Sequence, residues 1–178
     1  MRIVAGRLRG RTIVAPPGDA TRPTADRVRE AVFNVLAHGE AEIEGARVLD
    51  AFAGSGALGL EALSRGAAFA TFIDSSPAAL AACKQNAEAL GVERDCRILR
   101  ADALRPPRAD APCSLVFLDP PYRSGLAANA LRGLAEAGWI ADTATIVIEL
   151  GGPFVAPEGF TVTDERRYGR TRIAFLKR

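Results

Sequence analysis

The chain has 178 residues, 48% of them apolar and 25% charged, which suits one domain with at most a small appendage and excludes global disorder. No apolar stretch reads as a membrane span, and the Arg-rich start lacks the apolar core that a signal peptide needs. The formal net charge is only +2, yet residues 1–30 hold seven Arg against three acids and residues 165–178 six basic groups against one acid, leaving ten basic and seventeen acidic groups between them. Two basic ends flanking an acidic body point to a polyanionic partner.

In chain order, Arg2–Val14 reads as a basic hairpin around Gly6–Gly10, with Arg7, Arg9 and Arg11 alternating onto one face. Pro16-Pro17-Gly18 breaks it. Thr24 can cap a helix with Asp26 in its first turn and Val28, Val32, Val35 and Leu36 at helical spacing, ending at Gly39. From Ala46 the pattern predicts strand Arg47–Phe52, helix Leu58–Arg65, strand Ala68–Ile73, helix Pro77–Leu90 and strand Cys96–Arg100. Strand Ser114–Leu118, helix Ser124–Ala137 and strand Ala144–Leu150 follow, and Phe160–Thr163 with Thr171–Leu176 close the chain as an antiparallel edge hairpin. Such alternation means an α/β fold, a mostly parallel sheet with helices on both faces. Cys83, Cys96 and Cys113 lack metal-ligand spacing and His38 is the only histidine, so a reduced cytoplasmic setting, no disulfide framework and no metal are expected.

Ligands of such sheets bind beyond the carboxyl ends of the strands, and Asp50, Asp74, Asp102 and Asp119 each follow an apolar strand. In the first turn, Gly54 and Gly56 let backbone approach a ligand, and Gly59 permits close helix–strand packing. A dinucleotide site would share these glycines, and Asp74, twenty residues after Gly54, would suit its ribose. Asp50 inside the turn would repel a pyrophosphate and suits a cationic amino group. Asp119-Pro120-Pro121-Tyr122 is more specific. A carboxylate and a proline carbonyl can accept both hydrogens of an exocyclic amine, and Tyr122 offers a face for a base to stack on.

These residues resemble the S-adenosylmethionine-dependent amino-methyltransferases, and among them the bacterial small-subunit (16S) ribosomal RNA guanine-N2 methyltransferases. The similarity extends to Arg22-Pro-Thr-x-Asp26-Arg-Val-Arg-Glu30-Ala-Val-Phe33-Asn34, to the opening Arg2–Arg11, and to Val48–Ala62 with Glu61. The resemblance implies a Rossmann-like class I fold, a mostly parallel seven-stranded sheet with an antiparallel C-terminal edge hairpin. Residues 1–40 would form a basic RNA-binding extension and 41–178 the catalytic domain. The loop Asp50–Gly59, with Phe52, Gly54, Ser55 and Gly56, would hold the methionine end of S-adenosylmethionine. Asp74 would take the ribose, Ser75 and Ser76 would follow it into the adenosine pocket, and Asp102 and Ala103 would sit by the adenine. Asp119, Pro120, Pro121 and Tyr122 would hold the guanine amine. Arg7, Arg9, Arg11, Arg22, Arg27 and Arg29 would contact RNA phosphates, with the target base flipped out. The protein would act as a monomer, without metal or membrane, on 16S rRNA or the small subunit. A DNA adenine-N6 methyltransferase, a protein glutamine-N5 methyltransferase and a non-catalytic RNA-binding module are the competing readings. DNA enzymes generally carry extra recognition sequence, and a non-catalytic module would be expected to lose Asp119 or the glycines.

Overall fold

A computed structural model describes residues 1–17, 23–39, 41–121 and 125–178. Helix α1 (Pro23–His38) precedes β1 (Arg47–Ala51), α2 (Ala57–Ser64), β2 (Phe69–Asp74), α3 (Pro77–Leu90) and β3 (Cys96–Arg100). Then come β4 (Cys113–Leu118), α4 (Leu126–Glu136), β5 (Ile140–Leu150), β6 (Thr161–Tyr168) and β7 (Thr171–Lys177). The seven strands form one sheet in the order β3-β2-β1-β4-β5-β7-β6. The first five are parallel neighbours, and β7 runs antiparallel to both β5 and β6. The chain order reverses between β1 and β4, which is where a parallel sheet opens a crevice.

Two apolar clusters cover the faces. One joins Val48, Phe72, Phe117 and Val147 of the sheet to Phe33, Leu60, Leu63 and Cys83 of the helices. The other joins Leu49, Val116 and Ile146 to Ala130, Leu131 and Leu134 of α4. The first α1 turn begins at Pro23, so Thr24 lies inside it rather than capping it. Val32 and Leu36 of the expected stripe are buried, and Phe33, outside that stripe, is the fully buried anchor, 5.5 Å between ring centroids from Phe117. Strand β5 starts four residues earlier than the apolar run suggests, because Ile140 already pairs with Cys113 before a register shift. No described helix is long and apolar enough to cross a membrane.

The expected hairpin pairs at its ends, with the Ile3 N–H donating to the Arg11 carbonyl and the Ile13 N–H to the Met1 carbonyl, but the alternation of its arginines is corrected. Only Arg2 and Thr12 form a β-bridge, and residues 5–10 are bends and turns, so Arg7, Arg9 and Arg11 do not alternate along a strand. Four backbone donors between the paired ends go to α2. Val4 and Ala5 N–H donate to Glu61, Arg7 N–H to the Ser64 carbonyl, and Leu8 N–H to Ser64 Oγ, at 2.8–3.0 Å. Gly6 has φ +81°, and a Cβ there would lie 1.9 Å from the Ser64 carbonyl oxygen. Ile3, Leu8 and Ile13 are buried in the same cluster as Leu60 and Leu63, so residues 1–17 and α1 share the core of the sheet.

Candidate active site

The site forms at the carboxyl edge, around the crevice between β1 and β4. Asp50 lies on the last turn-facing stretch of β1, 2% exposed, and accepts a 2.9 Å hydrogen bond from the Gly59 N–H. Phe52, just past the strand, has φ +62°, a strained value for a bulky residue, and strain of this kind gathers at functional sites. Gly56 (φ +77°) opens α2, and a Cβ there would come within 2.7 Å of Cys83 Sγ. Gly59 abuts Phe72 so closely that a Cβ would lie 2.4 Å from its ring, the helix–strand contact its position in the turn suggests. Burial holds the Cys83 thiol well above its usual range, so it packs as an apolar group and not as a nucleophile.

Asp74 braces the loop. Its two carboxyl oxygens accept from the Gly54 N–H at 2.9 Å and the Ser76 N–H at 2.8 Å. Ser75 and Ser76 are exposed at the start of α3, where Ser76 caps the helix. Asp102, exposed, turns back onto the Leu104 N–H, and Ala103 is buried beside it. Asp119 and Pro121 are exposed after β4, with Pro120 buried between them, and Tyr122 lies outside the described residues.

A cavity of about 610 Å³ brings part of this set together. Asp50, Phe52, Gly54, Ser55 and Asp119 line it, with Val28 and Val32 of α1 on one side and Gly169 and Arg170 of the β6–β7 turn on another. Asp74, Ser75, Ser76, Asp102 and Ala103 lie outside this lining, further along the edge over β2 and β3. A second hollow of about 550 Å³ lies on the other side of Pro120 and Pro121, bounded by Arg132 and Phe154.

Two residues that the motifs leave unassigned support the site. Asn86 of α3, buried, donates to the Ser55 carbonyl at 2.9 Å and to the Val14 carbonyl, and accepts from the Val14 N–H. It ties the glycine turn to the N-terminal segment; an Asn on the apolar side of an Ala-rich helix is the sequence signal for it. Glu149, near the end of β5, lines both cavities.

One expected phosphate contact is overturned. Arg29 is 4% exposed, pairs with Asp26 at 2.9 Å and Glu61 at 3.5 Å, and donates to the Arg2 carbonyl. It is a buried strut, turned inward because α1 presents that face to α2. Arg9 and Arg27 are exposed; Arg7 is exposed beside Asp95, and Arg11 reaches the Ala89 carbonyl. Arg22 lies outside the described residues. Among the described residues no cluster of His, Cys, Asp and Glu could hold a metal ion.

Burial pushes the Asp50 carboxyl up from the ordinary 3.8 to about 8; the Gly59 N–H opposes the shift and the Asp119 and Asp74 carboxyls add to it. The neutral form is therefore favoured in the folded protein. The stability this gives is present below pH about 4 and is lost as pH rises towards 8, where the buried group must ionise. Asp50→Asn keeps an acceptor for Gly59 without the charge. We expect the variant to melt several degrees above the wild type at pH 8, with the gap closing near pH 4. Thermal denaturation of ligand-free protein at both pH values checks it, and a gap that does not depend on pH contradicts the assignment.

The sheet order, the glycine turn and the acids along the edge together define a class I methyltransferase fold. The match to the ribosomal protein L11 methylase of Lactobacillus delbrueckii, at 16% identity and TM-score 0.70 over 92% of this chain and 83% of that one, supports the fold alone. The family described as conserved hypothetical protein 95 matches residues 1–177. Ribosomal RNA small subunit methyltransferase D of Escherichia coli K12 is 43% identical over 150 residues, 84% of this chain and 74% of that protein. The Haemophilus influenzae protein of the same name is 35% identical over 95% of this chain and 89% of its own. The solved structure of the Escherichia coli yhhF protein superposes with TM-score 0.85 at 37% identity, covering 100% of this chain and 97% of that one. The chain belongs to the conserved hypothetical protein 95 family, which takes in these small-subunit rRNA methyltransferases.

Proposed function

We propose that this chain transfers a methyl group from S-adenosylmethionine to the exocyclic N2 amine of a guanine in 16S ribosomal RNA of the small subunit. The observation that carries the reading is the joining of Asp119, at the Asp-Pro-Pro turn, and the Asp50–Ser55 loop in one cavity. The Escherichia coli and Haemophilus influenzae relatives, both named ribosomal RNA small subunit methyltransferase D, supply the RNA class.

The chain's residues fit the cofactor. Asp50 is buried and feels the Asp119 and Asp74 carboxyls, so a cationic amino group bound beside it would favour its ionised form and pair with it. The backbone of Gly54 and Ser55 lines the cavity, and the missing side chain at Gly54 leaves room for close approach of a ligand. Asp74 stands by that loop for the ribose, and Asp102 and Ala103 are assigned to the adenine. When bound, S-adenosylmethionine supplies an electrophilic methyl sulfonium. The guanine N2 lone pair is delocalised into the ring, which makes the amine a poor nucleophile. Asp119 and the Pro120 carbonyl accept its two hydrogens and aim its lone pair, converting binding energy into orientation. The proton released on transfer leaves through Asp119 or to water. Residues 1–40, with Arg7, Arg9, Arg11 and Arg27, would meet RNA phosphates.

Purified protein with labelled S-adenosylmethionine tests this against 16S rRNA and small subunits, with nucleoside analysis of the product. Label recovered as N2-methylguanosine is expected. Label confined to DNA or protein refutes the substrate.

A further inference from the structure

We propose that Glu149 reads the Watson–Crick edge of the target base, accepting the guanine N1–H beside the N2 amine held by Asp119, and thereby excludes adenine. This rests on the reading just given.

The sheet places the two carboxylates side by side. Leu118, the last residue of β4, is the register partner of Ile148 of β5, so Asp119 just past β4 and Glu149 inside β5 each follow one member of that pair, on strands whose axes lie about 4.8 Å apart. Successive side chains alternate between faces. Phe117 and Val147 are register partners in one apolar cluster, and two residues on from each stand Asp119 and Glu149. Both line the 610 Å³ cavity, with the strained Phe52 following Ala51, the register partner of Leu118.

Glu149 is a half-buried acid inside a strand whose neighbours, Ile148 and Leu150, are buried. Acids rarely occupy such positions without a polar function. Guanine carries two adjacent donors on this edge, the N1–H and the N2 amine, and a pair of neighbouring carboxylates matches them. Adenine presents a bare N1 lone pair at the same place, which a carboxylate repels. A site built to accept a substrate N–H rejects the analogue that lacks it far more strongly than a site that relies on shape.

The test compares guanine with 2-aminopurine at the nucleotide that labelled transfer identifies. 2-Aminopurine keeps the 2-amine and has an unprotonated N1. Single-turnover methylation is measured for wild type, Glu149→Gln and Glu149→Ala, with cofactor affinity and melting temperature as controls. The wild type should prefer guanine by on the order of 10²-fold. Glu149→Gln, whose amide can donate to N1, should bring the ratio close to one, and Glu149→Ala should fall between. The change in ratio is the decisive reading, because 2-aminopurine also lacks O6. A ratio that stays the same in Glu149→Gln, or an equal loss on both bases, overturns the proposal. A wild type that methylates no guanine overturns the underlying reading instead, and that is seen before any variant is made.

Discussion

Asp119→Ala should lower kcat for methyl transfer by on the order of 10³-fold while leaving cofactor affinity within about threefold. The asymmetry follows from position. Asp119 stands just past β4, after the buried run Leu115–Leu118, and lines the cavity together with Gly54 and Ser55 of the glycine turn. The loop that would hold the cofactor is braced without it, through Gly59 on Asp50, Gly54 on Asp74 and Ser55 on Asn86. Removing the carboxylate therefore leaves the loop standing and takes away one of the two acceptors that orient the amine. Asp119→Asn separates the roles. Its amide oxygen still accepts one hydrogen, so a loss of only about 10–100-fold would mark positioning as the main contribution. A loss equal to that of alanine would mean that the charge is required. Single-turnover transfer with cofactor titration distinguishes these outcomes, and full activity in Asp119→Ala would remove Asp119 from the site.

The outline of the site was legible in the sequence because it depends on local rules. Acids at strand ends, glycines at a tight turn and a rigid Asp-Pro-Pro turn have the same meaning wherever the strands lie. What periodicity does not carry is which strand ends are neighbours. Asp102 and Glu149 both sit at the carboxyl edge, but β3 is the outermost strand on one side and β5 lies next to β4. Sheet order, not spacing, makes Glu149 the neighbour of Asp119. The arginine alternation of the N-terminal segment failed for a related reason. The hairpin ends pair as alternating Arg between glycines suggests, yet Val4, Ala5, Arg7 and Leu8 give their backbone donors to Glu61 and Ser64 of α2 and leave strand geometry, a long-range contact that no local pattern announces. Arg29 likewise reads as one more basic side chain until α1 is seen against α2.

Glu61→Ala should destabilise the protein by about 3–5 kcal/mol, a shift in melting temperature on the order of 10 °C for a chain of this size. Glu61 is fully buried and surrounded by donors: the Val4 N–H at 2.8 Å, the Ala5 N–H at 3.0 Å, Arg65 Nε at 2.9 Å and Arg29 Nε at 3.5 Å. Truncation leaves two backbone N–H groups and Arg65 Nε without their acceptor and takes one ion-pair partner from the buried Arg29, and that desolvation is the main cost. Glu61→Leu combined with Arg29→Met should cost less than the sum of the two single changes, because it removes both charges of the buried pair at once, while the Val4 and Ala5 N–H groups stay orphaned. Denaturant titration of the four proteins measures the coupling, and additive losses would show that the pair is not a unit. The effect should also reach the site. Met1, Ala15 and Pro16 of the anchored segment, with Val28, Arg29 and Val32 of α1, form a wall of the 610 Å³ cavity. Where the anchor is lost, hydrogen exchange should quicken across residues 1–16 before the sheet opens, since that segment has little β pairing of its own. A wall anchored on Glu61 and Ser64 of α2, the helix that the glycine turn opens, makes the N-terminal segment and the glycine loop parts of the same packed unit.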